Sequence, residues 1–270
     1  MVMNVLQMKN IYKAYYNERK DTARVVLKDI SLDIKENEFV CILGPSGCGK
    51  TTLLNLLAGF EKPLSGDLLY RGNPIKDPSS ERAVVFQEYI LLPWLSVKKN
   101  VEFSINKKYS SQEKTEIAEK YLKLVGLSEF SDAMPNSLSG GMKQRVAIAR
   151  TLAMEPDVLL MDEPFSSLDE QTKSVLDKEL LSIWNNDKKT VIFITHSIDE
   201  ALLLGTRVIL LSTSPGKIHR EWSLTEYSNR NPTSDEIVAL KKEILSELGV
   251  CSCVKGVRPI IPMDVINDEQ

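Results

Sequence analysis

A glycine-rich stretch near the start of the chain carries the residues best suited to chemistry on phosphates. The stretch reads Gly44-Pro45-Ser46-Gly47-Cys48-Gly49-Lys50-Thr51-Thr52. It fits the pattern G-x-x-x-x-G-K-[ST] and separates a strand-like run at 39–43 from a helix-like run at 53–58. The glycines let successive N–H groups point into one concavity, and the helix start adds partial positive charge. A polyphosphate fits there, with Lys50 facing its β- and γ-phosphates and the Thr51 hydroxyl on a magnesium ion.

Two carboxylates at the end of an apolar run are the next candidates for chemistry. Residues 158–163 are typical of a buried parallel strand, end in Asp162 and Glu163, and are stopped by Pro164. Because neighbouring side chains on a strand point in opposite directions, the pair can divide two roles. Asp162 can hold magnesium through water, while Glu163 can polarise the water that attacks a γ-phosphate.

Two further polar residues stand at the ends of predicted strands, where α/β sheets bind their ligands. Gln87 follows the run 83–86, and its amide can bind magnesium or orient a water molecule, although many such glutamines are plain surface residues. His196 follows the strand-like run 190–195. We expect it to donate a hydrogen bond to a γ-phosphate, the alternative being a purely structural histidine.

A second helix start suited to anions lies in the middle of the chain. It belongs to the octet Leu138-Ser139-Gly140-Gly141-Met142-Lys143-Gln144-Arg145. Ser139 can cap the helix that follows, and the free N–H groups of a helix start attract anions. A turn at 166–169 with Asp169 as the cap predicts another helix, over 170–184.

The remaining elements frame these sites. Alternating apolar and polar residues at 4–11 and 25–34 predict two strands of an antiparallel edge. Tyr15 lies between them on a predicted polar loop, where its ring could stack on a purine base or cover a strand end. Residues 98–130 read as helical, and a tail helix with an apolar stripe is predicted to stop at Gly249.

Composition narrows the class of protein. The 270 residues are 43% hydrophobic and 26% charged, with a net charge of −3, which is ordinary for a soluble globular protein and argues against a nucleic-acid partner. We find no signal peptide and no apolar run long enough to cross a membrane, so a cytoplasmic protein is expected.

The apolar segment 91–97 is either a docking surface for another protein or a loop packed on its own helices.

In this order and spacing, the phosphate loop, Gln87, the octet, the acidic strand end and His196 resemble the ATP-binding subunit of ABC transporters. The octet is the most specific element, since kinases, GTPases and AAA+ ATPases do not carry it before their acidic strand. The resemblance implies an α/β P-loop NTPase fold of the ABC type, with a mixed sheet core, an antiparallel β edge and an inserted α-helical subdomain at about 88–155. It covers residues 1–222 as the ATPase domain and leaves 223–270 as a C-terminal tail with one amphipathic helix.

The resemblance also assigns roles to single residues. Gln87 matches the switch glutamine, Glu163 the catalytic base and His196 the γ-phosphate histidine. Tyr15 matches the adenine-stacking residue, although the loop after it is longer than the family usually has. Asp169 matches the residue that links two active sites, in a stretch where Ser167 replaces the more usual alanine. The implied activity is hydrolysis of ATP with Mg²⁺, coupled to transmembrane transport.

Partners follow from the same resemblance. Residues 139–141 of one copy are expected to close over the ATP held by Lys50 of a second copy or of a homologous ATPase subunit. The subunit is expected at the cytoplasmic face of the inner membrane on transmembrane permease subunits, with a solute-binding protein involved indirectly. Residues 91–94 and the tail from 230 to 248 look like the importer subgroup for nitrate, sulfonate and taurine.

One competing function stays open from the sequence. A soluble ABC-type ATPase of a non-transport complex, such as iron-sulfur cluster assembly, carries the same nucleotide motifs. The sequence does not name the solute, and it does not say whether the ATPase pair is homomeric or what Cys251 and Cys253 do in the tail.

Overall fold

The computed structural model describes residues 4–17, 22–166, 168–187, 189–213, 215–226, 231–253 and 260–262. The strands are β1 (Asn4–Asn17), β2 (Thr22–Lys35), β3 (Phe39–Leu43), β4 (Ser65–Tyr70), β5 (Asn73–Pro74), β6 (Arg82–Val85), β7 (Val158–Asp162), β8 (Thr190–Ile194), β9 (Arg207–Leu211), β10 (Ile218–Ser223) and β11 (Ile260–Pro262). The helices are α1 (Lys50–Ala58), α2 (Val97–Ser104), α3 (Ser111–Leu124), α4 (Gly140–Leu152), α5 (Glu170–Asp187), α6 (Ile198–Leu204) and α7 (Asp235–Cys253). The chain divides into unit 1, Met1–Pro78 with Ile192–Gln270, and unit 2, Ser79–Val191.

Unit 1 contains the predicted antiparallel edge. Its strands run in the order β11-β2-β1-β4-β5, and each pair is antiparallel. Buried and exposed side chains alternate along β2, with Leu27, Ile30 and Ile34 completely buried. Since one face packs on the core and the other meets water, the alternating pattern in the sequence located these strands. Both are longer than predicted.

Mixed strand pairing in unit 1 carries the phosphate loop. β3 is buried at all five positions and pairs in parallel with β9, while β9 pairs antiparallel with β10. A strand with no exposed residue reads as a continuous apolar run, which is why β3 was recognisable in the sequence. The predicted mixed sheet and antiparallel edge are therefore both present.

The tail helix α7 packs on α6 within unit 1. Ile237, Leu240 and Ile244 are buried, as the apolar stripe predicted. Oε2 of Glu247 forms a hydrogen bond with Nε2 of His219 in β10 at 2.8 Å. The predicted stop at Gly249 is wrong, because the helix continues to Cys253. The division of the chain at residue 222 stays a prediction.

Unit 2 holds the helical segment and the acidic strand. β6 pairs in parallel with β7, and α2, α3 and α4 pack on one another. The prediction of a continuous helix over 98–130 is wrong, because α2 ends at Ser104 and α3 begins after Ser110. Ser110 and Glu113 form a reciprocal capping box, so this sequence starts a new helix where apolar spacing alone suggested continuation.

In the part of the chain that the structure describes, no helix has the length and apolarity needed to span a membrane.

The packing of α7 predicts unequal effects for two neighbouring substitutions. Ile244 is fully buried, whereas Leu245 is 49% exposed. We expect Ile244→Ala to lower the free energy of unfolding by about 2–5 kcal/mol and Leu245→Ala to change it by less than about 0.5 kcal/mol. Urea titrations followed by circular dichroism measure both. Equal midpoints for the two variants would contradict the packing of α7.

Candidate functional site

Lys50 is enclosed by the phosphate loop to which it belongs. Lys50 is only 8% exposed, and its Nζ donates hydrogen bonds to the carbonyl oxygens of Gly44 at 2.8 Å and Pro45 at 3.3 Å. These bonds hold the ammonium group inside the loop that joins β3 to α1. Gly49 precedes the helix with a φ of 103°, and a Cβ there would lie 2.6 Å from Cδ2 of Leu27. Only glycine meets both the conformational and the steric demand at that position.

The start of α1 is chemically suited to an anion. No side chain caps its first N–H groups, and no acidic residue lies in its first turn. Burial raises the pKa of the Cys48 thiol, so at neutral pH this neighbour stays uncharged. Thr51 is exposed beside these groups. The loop therefore presents N–H donors and a hydroxyl, with no fixed negative charge among its own residues.

Tyr15 lies beside this loop, but on a strand. The prediction of a loop position is wrong, because β1 extends to Asn17 and pairs with β2 through Tyr15 and Arg24. The Tyr15 hydroxyl lies 3.2 Å from Oγ1 of Thr52 in α1 and donates to Oε2 of Glu61 at 2.6 Å. Its side chain is 41% exposed. The ring is thus fixed near the phosphate loop with part of its surface open.

His196 follows β8 in unit 1, and the residues on either side of it are held by hydrogen bonds. The preceding Thr195 is buried, its N–H donates to the carbonyl of Ile42 at 3.2 Å, and its hydroxyl donates to the carboxylate of buried Glu200. Ser197 caps α6, its Oγ accepting from the N–H of Glu200 at 3.3 Å. His196 itself is exposed between these two residues. Glu200 was missed from the sequence, because in the apolar pattern of α6 it appears as an ordinary acidic residue in the first helical turn.

The two acidic residues of unit 2 differ in backbone conformation. Asp162 ends β7 and is only 8% exposed. Glu163 has a φ of 44°, and its carbonyl accepts from the N–H of Ser166 at 3.2 Å. The prediction that the strand includes both carboxylates is therefore wrong, because β7 ends at Asp162. Glu163 thus lies in a turn with a left-handed backbone, a conformation that non-glycine residues adopt at a cost in energy.

Gln87 reaches the same edge of unit 2. β6 ends at Val85, one residue earlier than predicted, and Val85 pairs in parallel register with Met161. The segments that continue both strands therefore leave the sheet at one edge. Gln87 is exposed, and its Nε2 lies 3.5 Å from Oγ of Ser166 in the turn after Glu163.

The second helix start has the predicted cap. Oγ of Ser139 accepts from the N–H of Met142 at 3.3 Å, and α4 begins at Gly140. A Cβ on Gly141 would lie 3.2 Å from Cδ2 of Leu168, a tight contact that shows how closely this helix approaches the next turn. Ser139 and Gly140 are exposed, which leaves the helix start open to a ligand.

Asp169 caps α5 as predicted. Its carboxylate accepts from the N–H and the hydroxyl of Thr172 at 3.0 and 2.7 Å. These hydrogen bonds hold the pKa of Asp169 below its usual value, so the carboxylate stays ionised at neutral pH. Ser167, whose type departs from the expected pattern, lies outside the described residues.

The apolar segment after Gln87 combines both alternatives left open by the sequence. Its backbone is tied to the helices, because the fully buried Asn100 bonds to the backbone of Leu92, Leu95 and Ser96 through four hydrogen bonds of 2.8–3.1 Å. Its tip is nevertheless open, with Trp94 71% exposed. Asn100 was missed, since an asparagine in a helical pattern gives no sign that it closes a loop.

The predicted residues thus form two groups. In unit 1 the structure brings together the phosphate loop and Tyr15, and places His196 shortly after the end of β8. In unit 2 it brings Gln87 to the turn that follows Asp162 and Glu163, and the start of α4 to the turn before Asp169. No cluster of three histidine, cysteine, aspartate or glutamate side chains suited to a metal ion occurs among the described residues.

Comparison with known proteins points to one family. A family profile described as ABC transporter matches residues 27–166, more than half of the chain. The chain is 48% identical over 245 residues to the uncharacterized ABC transporter ATP-binding protein MJ0412 of Methanocaldococcus jannaschii, covering 90% of this chain and 91% of that protein.

Two relatives carry names that state a solute. The nitrate import ATP-binding protein NrtD of Synechococcus elongatus is 47% identical over 71% of each chain. The taurine import ATP-binding protein TauB of Roseobacter denitrificans is 48% identical, over 73% of this chain and 74% of its own. Among solved structures, the dimeric post-hydrolysis state of the ATP-binding cassette MJ0796 with ADP and Pi is 35% identical with a TM-score of 0.72, covering 81% of this chain and 98% of that one.

Proposed function

The chain belongs to the ABC transporter family of ATPases, and we propose that it powers an importer for a small solute such as nitrate, a sulfonate or taurine. The observation that carries the proposal is a phosphate loop closed around buried Lys50, together with the serine-capped helix start at Ser139. A phosphate loop alone would serve many nucleotide-binding proteins. The second, open helix start is what an ATPase working in pairs requires.

Unit 1 supplies the groups that hold the nucleotide. Residues 44–52 bind the phosphates of ATP through backbone N–H groups at the start of α1. Lys50 places its charge on the β- and γ-phosphates, exchanging carbonyl partners for charged oxygens that form stronger hydrogen bonds. Tyr15 offers its open ring surface to the adenine, and His196 donates to the γ-phosphate.

The oxygen donors of the site suit Mg²⁺. Thr51, Gln87 and Asp162 contribute one hydroxyl, one amide and one carboxylate oxygen, and this all-oxygen set with a single carboxylate fits an ion that takes its other ligands from phosphates and water. When bound, Mg²⁺ neutralises charge on the phosphate oxygens. Asp162 is suited to its role because it is nearly buried at the end of a rigid strand.

Glu163 acts as the general base of hydrolysis. Glu163 lies in the turn after β7 while Asp162 ends the strand, so one carboxylate serves the metal ion while the other takes a proton from the attacking water. Gln87, tied to the same turn through Ser166, orients that water. The proton passes to the Glu163 carboxylate as the water oxygen forms its bond to the γ-phosphorus and the bond to the leaving ADP oxygen breaks.

A second copy, or a homologous ATPase subunit, completes the site. Ser139, Gly140 and Gly141 of one subunit bind the γ-phosphate of the ATP held by the other, through N–H groups that are exposed at the start of α4. Asp169 stays ionised within the cap of α5 and links the two sites. This arrangement is supported by the dimeric solved relative.

The segment around Trp94 docks on transmembrane permease subunits. An aromatic side chain that is 71% exposed on a fixed backbone is the kind of anchor that protein interfaces use. The subunit is then peripheral at the cytoplasmic face of the membrane, and a solute-binding protein acts on it only through the permease. A non-transport complex such as iron-sulfur cluster assembly is the alternative, and isolation of the chain with a membrane permease decides against it.

Replacement of Lys50 tests the phosphate loop. We expect Lys50→Ala to raise the Kd of MgATP about 10- to 150-fold and to abolish turnover, because it removes a charge-assisted hydrogen bond to the phosphates. Isothermal titration calorimetry and phosphate release measure the two effects. The control is Lys9→Ala, which removes an exposed lysine of β1. ATP affinity and turnover at the wild-type level in Lys50→Ala would disprove the phosphate-loop assignment.

Replacement of Trp94 and Leu95 tests the docking segment. We expect Trp94→Ser/Leu95→Ser to keep the basal ATPase activity of the isolated subunit and to lose recovery with the permease by about tenfold or more. Affinity capture of the full transporter from membranes measures recovery. Phe103→Ser is a matched control, since Phe103 is 69% exposed on α2, outside this segment. Capture of the double variant at the wild-type level would rule out this segment as a major docking surface.

Amide replacement of Glu163 separates a hydrolytic motor from an ATP-gated clamp. Loss of a general base typically costs about 10²–10⁴-fold in rate, while Glu163→Gln preserves the shape of the side chain. The variant should bind MgATP, stop hydrolysing it, and shift from monomer to dimer when MgATP is added. Light scattering with and without MgATP, alongside phosphate release, measures both properties.

Two outcomes would contradict these roles. Retained turnover in Glu163→Gln would remove Glu163 as the base. Lost turnover with no ATP-dependent dimer, even at high protein concentration, would count against the two-subunit site.

A further inference from the structure

A polar cluster in unit 1 surrounds the hydroxyl end of Tyr15. The Glu61 carboxylate is its centre: Oε2 accepts from the Tyr15 hydroxyl at 2.6 Å and pairs with Nζ of Lys13 at 3.0 Å. Its other oxygen, Oε1, accepts from Nδ2 of Asn55 at 3.1 Å. Three donors from β1 and α1 therefore converge on one carboxylate. This cluster is more than a surface ion pair, since the Lys13 and Glu61 side chains are only 13% and 23% exposed.

Lys13 is itself fixed on one side of the ring. Its Nζ lies 5.0 Å from the centroid of the Tyr15 ring and also donates to the carbonyl of Lys62 at 2.8 Å. A cation at this distance is attracted to the face of the ring and covers it. Tyr15 nevertheless remains 41% exposed, so the residue is accessible to a flat ligand.

The cluster also connects the ring to the phosphate loop. The Tyr15 hydroxyl lies 3.2 Å from Oγ1 of Thr52, and Asn55 lies one turn further along the same helix. The ring is thus held at a fixed height above the first turn of α1. A ligand that bridges the two features, with a planar base at one end and phosphates at the other, meets a preset spacing.

From this geometry we propose that Glu61 is a positioning residue for nucleotide binding. It acts through Tyr15: the carboxylate holds the hydroxyl and Lys13 together, so that one face of the ring is covered and the other is presented to the nucleobase. The proposal rests on the proposed function, since it deepens how the same site recognises its nucleotide. Glu61 does not touch the phosphates in this assignment, so it contributes to binding of the base alone.

The protonation states agree with this role. Burial, and then the hydrogen bond to Glu61, raise the pKa of the Tyr15 phenol, which remains a donor at neutral pH. Burial favours protonation of Glu61, but the hydrogen bonds from Tyr15, Lys13 and Asn55 outweigh it and leave its pKa below the ordinary value. The carboxylate therefore stays ionised and keeps its donors.

Two ligands separate base recognition from phosphate recognition. MgATP engages both the ring and the phosphate loop, whereas magnesium tripolyphosphate has no base and engages the loop alone. Affinities of the full chain for each are measured by calorimetry in wild type, Glu61→Ala, Tyr15→Ala and the double variant. Glu36→Ala is the matched control, since Glu36 belongs to an exposed ion pair with Arg71 in the same unit.

We expect Glu61→Ala to raise the Kd of MgATP about 5- to 20-fold, within the range of about 5- to 150-fold for loss of one base–aromatic stack. The Kd of tripolyphosphate should change by less than about twofold. Tyr15→Ala should cost at least as much as Glu61→Ala, and the double variant no more than Tyr15→Ala alone, because both changes remove one interaction. Tyr15→Phe, which keeps the ring and loses the hydroxyl, should reproduce part of the effect and serves if Glu61→Ala does not fold.

Three results would overturn the proposal. Parallel losses for MgATP and tripolyphosphate would mean that Glu61 supports the phosphate loop. Unchanged MgATP affinity in both Glu61→Ala and Tyr15→Phe would mean that the ring needs no support. A double variant whose loss is the product of the single losses would mean that Glu61 acts independently of Tyr15. Failure of the nucleotide-binding assignment looks different, because wild type would then bind neither ligand.

Discussion

The burial of the Lys50 ammonium group constrains the backbone of the phosphate loop and the residues packed against it. Lys50 sits at the first position of α1 with most of its surface removed from water, and a charge in that position is costly unless polar groups surround it. The loop meets this demand with the carbonyl oxygens of Gly44 and Pro45, which requires a tight backbone path. That path in turn requires glycine at position 49, where the backbone is left-handed and Leu27 is in close contact. The conformation of the phosphate loop after β3 and its close contact with β2 therefore both depend on the burial of Lys50.

Local chemistry explains what could be predicted from the sequence. The caps at Ser139 and Asp169 were both predicted, because a cap is a hydrogen bond between residues three positions apart and is visible in the sequence. The buried strands β3 and β7 were foreseen from continuous apolar runs. The ABC cassette fold, its ATPase activity and its mixed sheet are likewise confirmed. Each of these features is written in short stretches of the chain.

What could not be predicted depends on residues that are distant in sequence. Tyr15 was placed on a loop, because nothing near it in the sequence shows that β2 pairs with it as far as Thr22. The parts played by Glu61 and Asn100 are set by partners in other elements, and neither residue stands out in composition or periodicity. The left-handed turn at Glu163 is hidden for a similar reason, since the surrounding fold imposes it against the preference of the residue. The sequence thus predicted helix caps and buried strands better than the contacts between residues that are distant in the chain.

The hydrogen bonds of Asn100 bear on the entropy of association. A flexible loop that becomes ordered on binding loses conformational entropy, and this loss makes the free energy of binding less favourable. Here the backbone of Leu92, Leu95 and Ser96 is already fixed by one buried amide, while Trp94 projects from it. Most of the ordering cost is therefore met during folding of the subunit. In the proposed docking on a permease, burial of the Trp94 side chain would therefore be offset by little additional loss of backbone entropy.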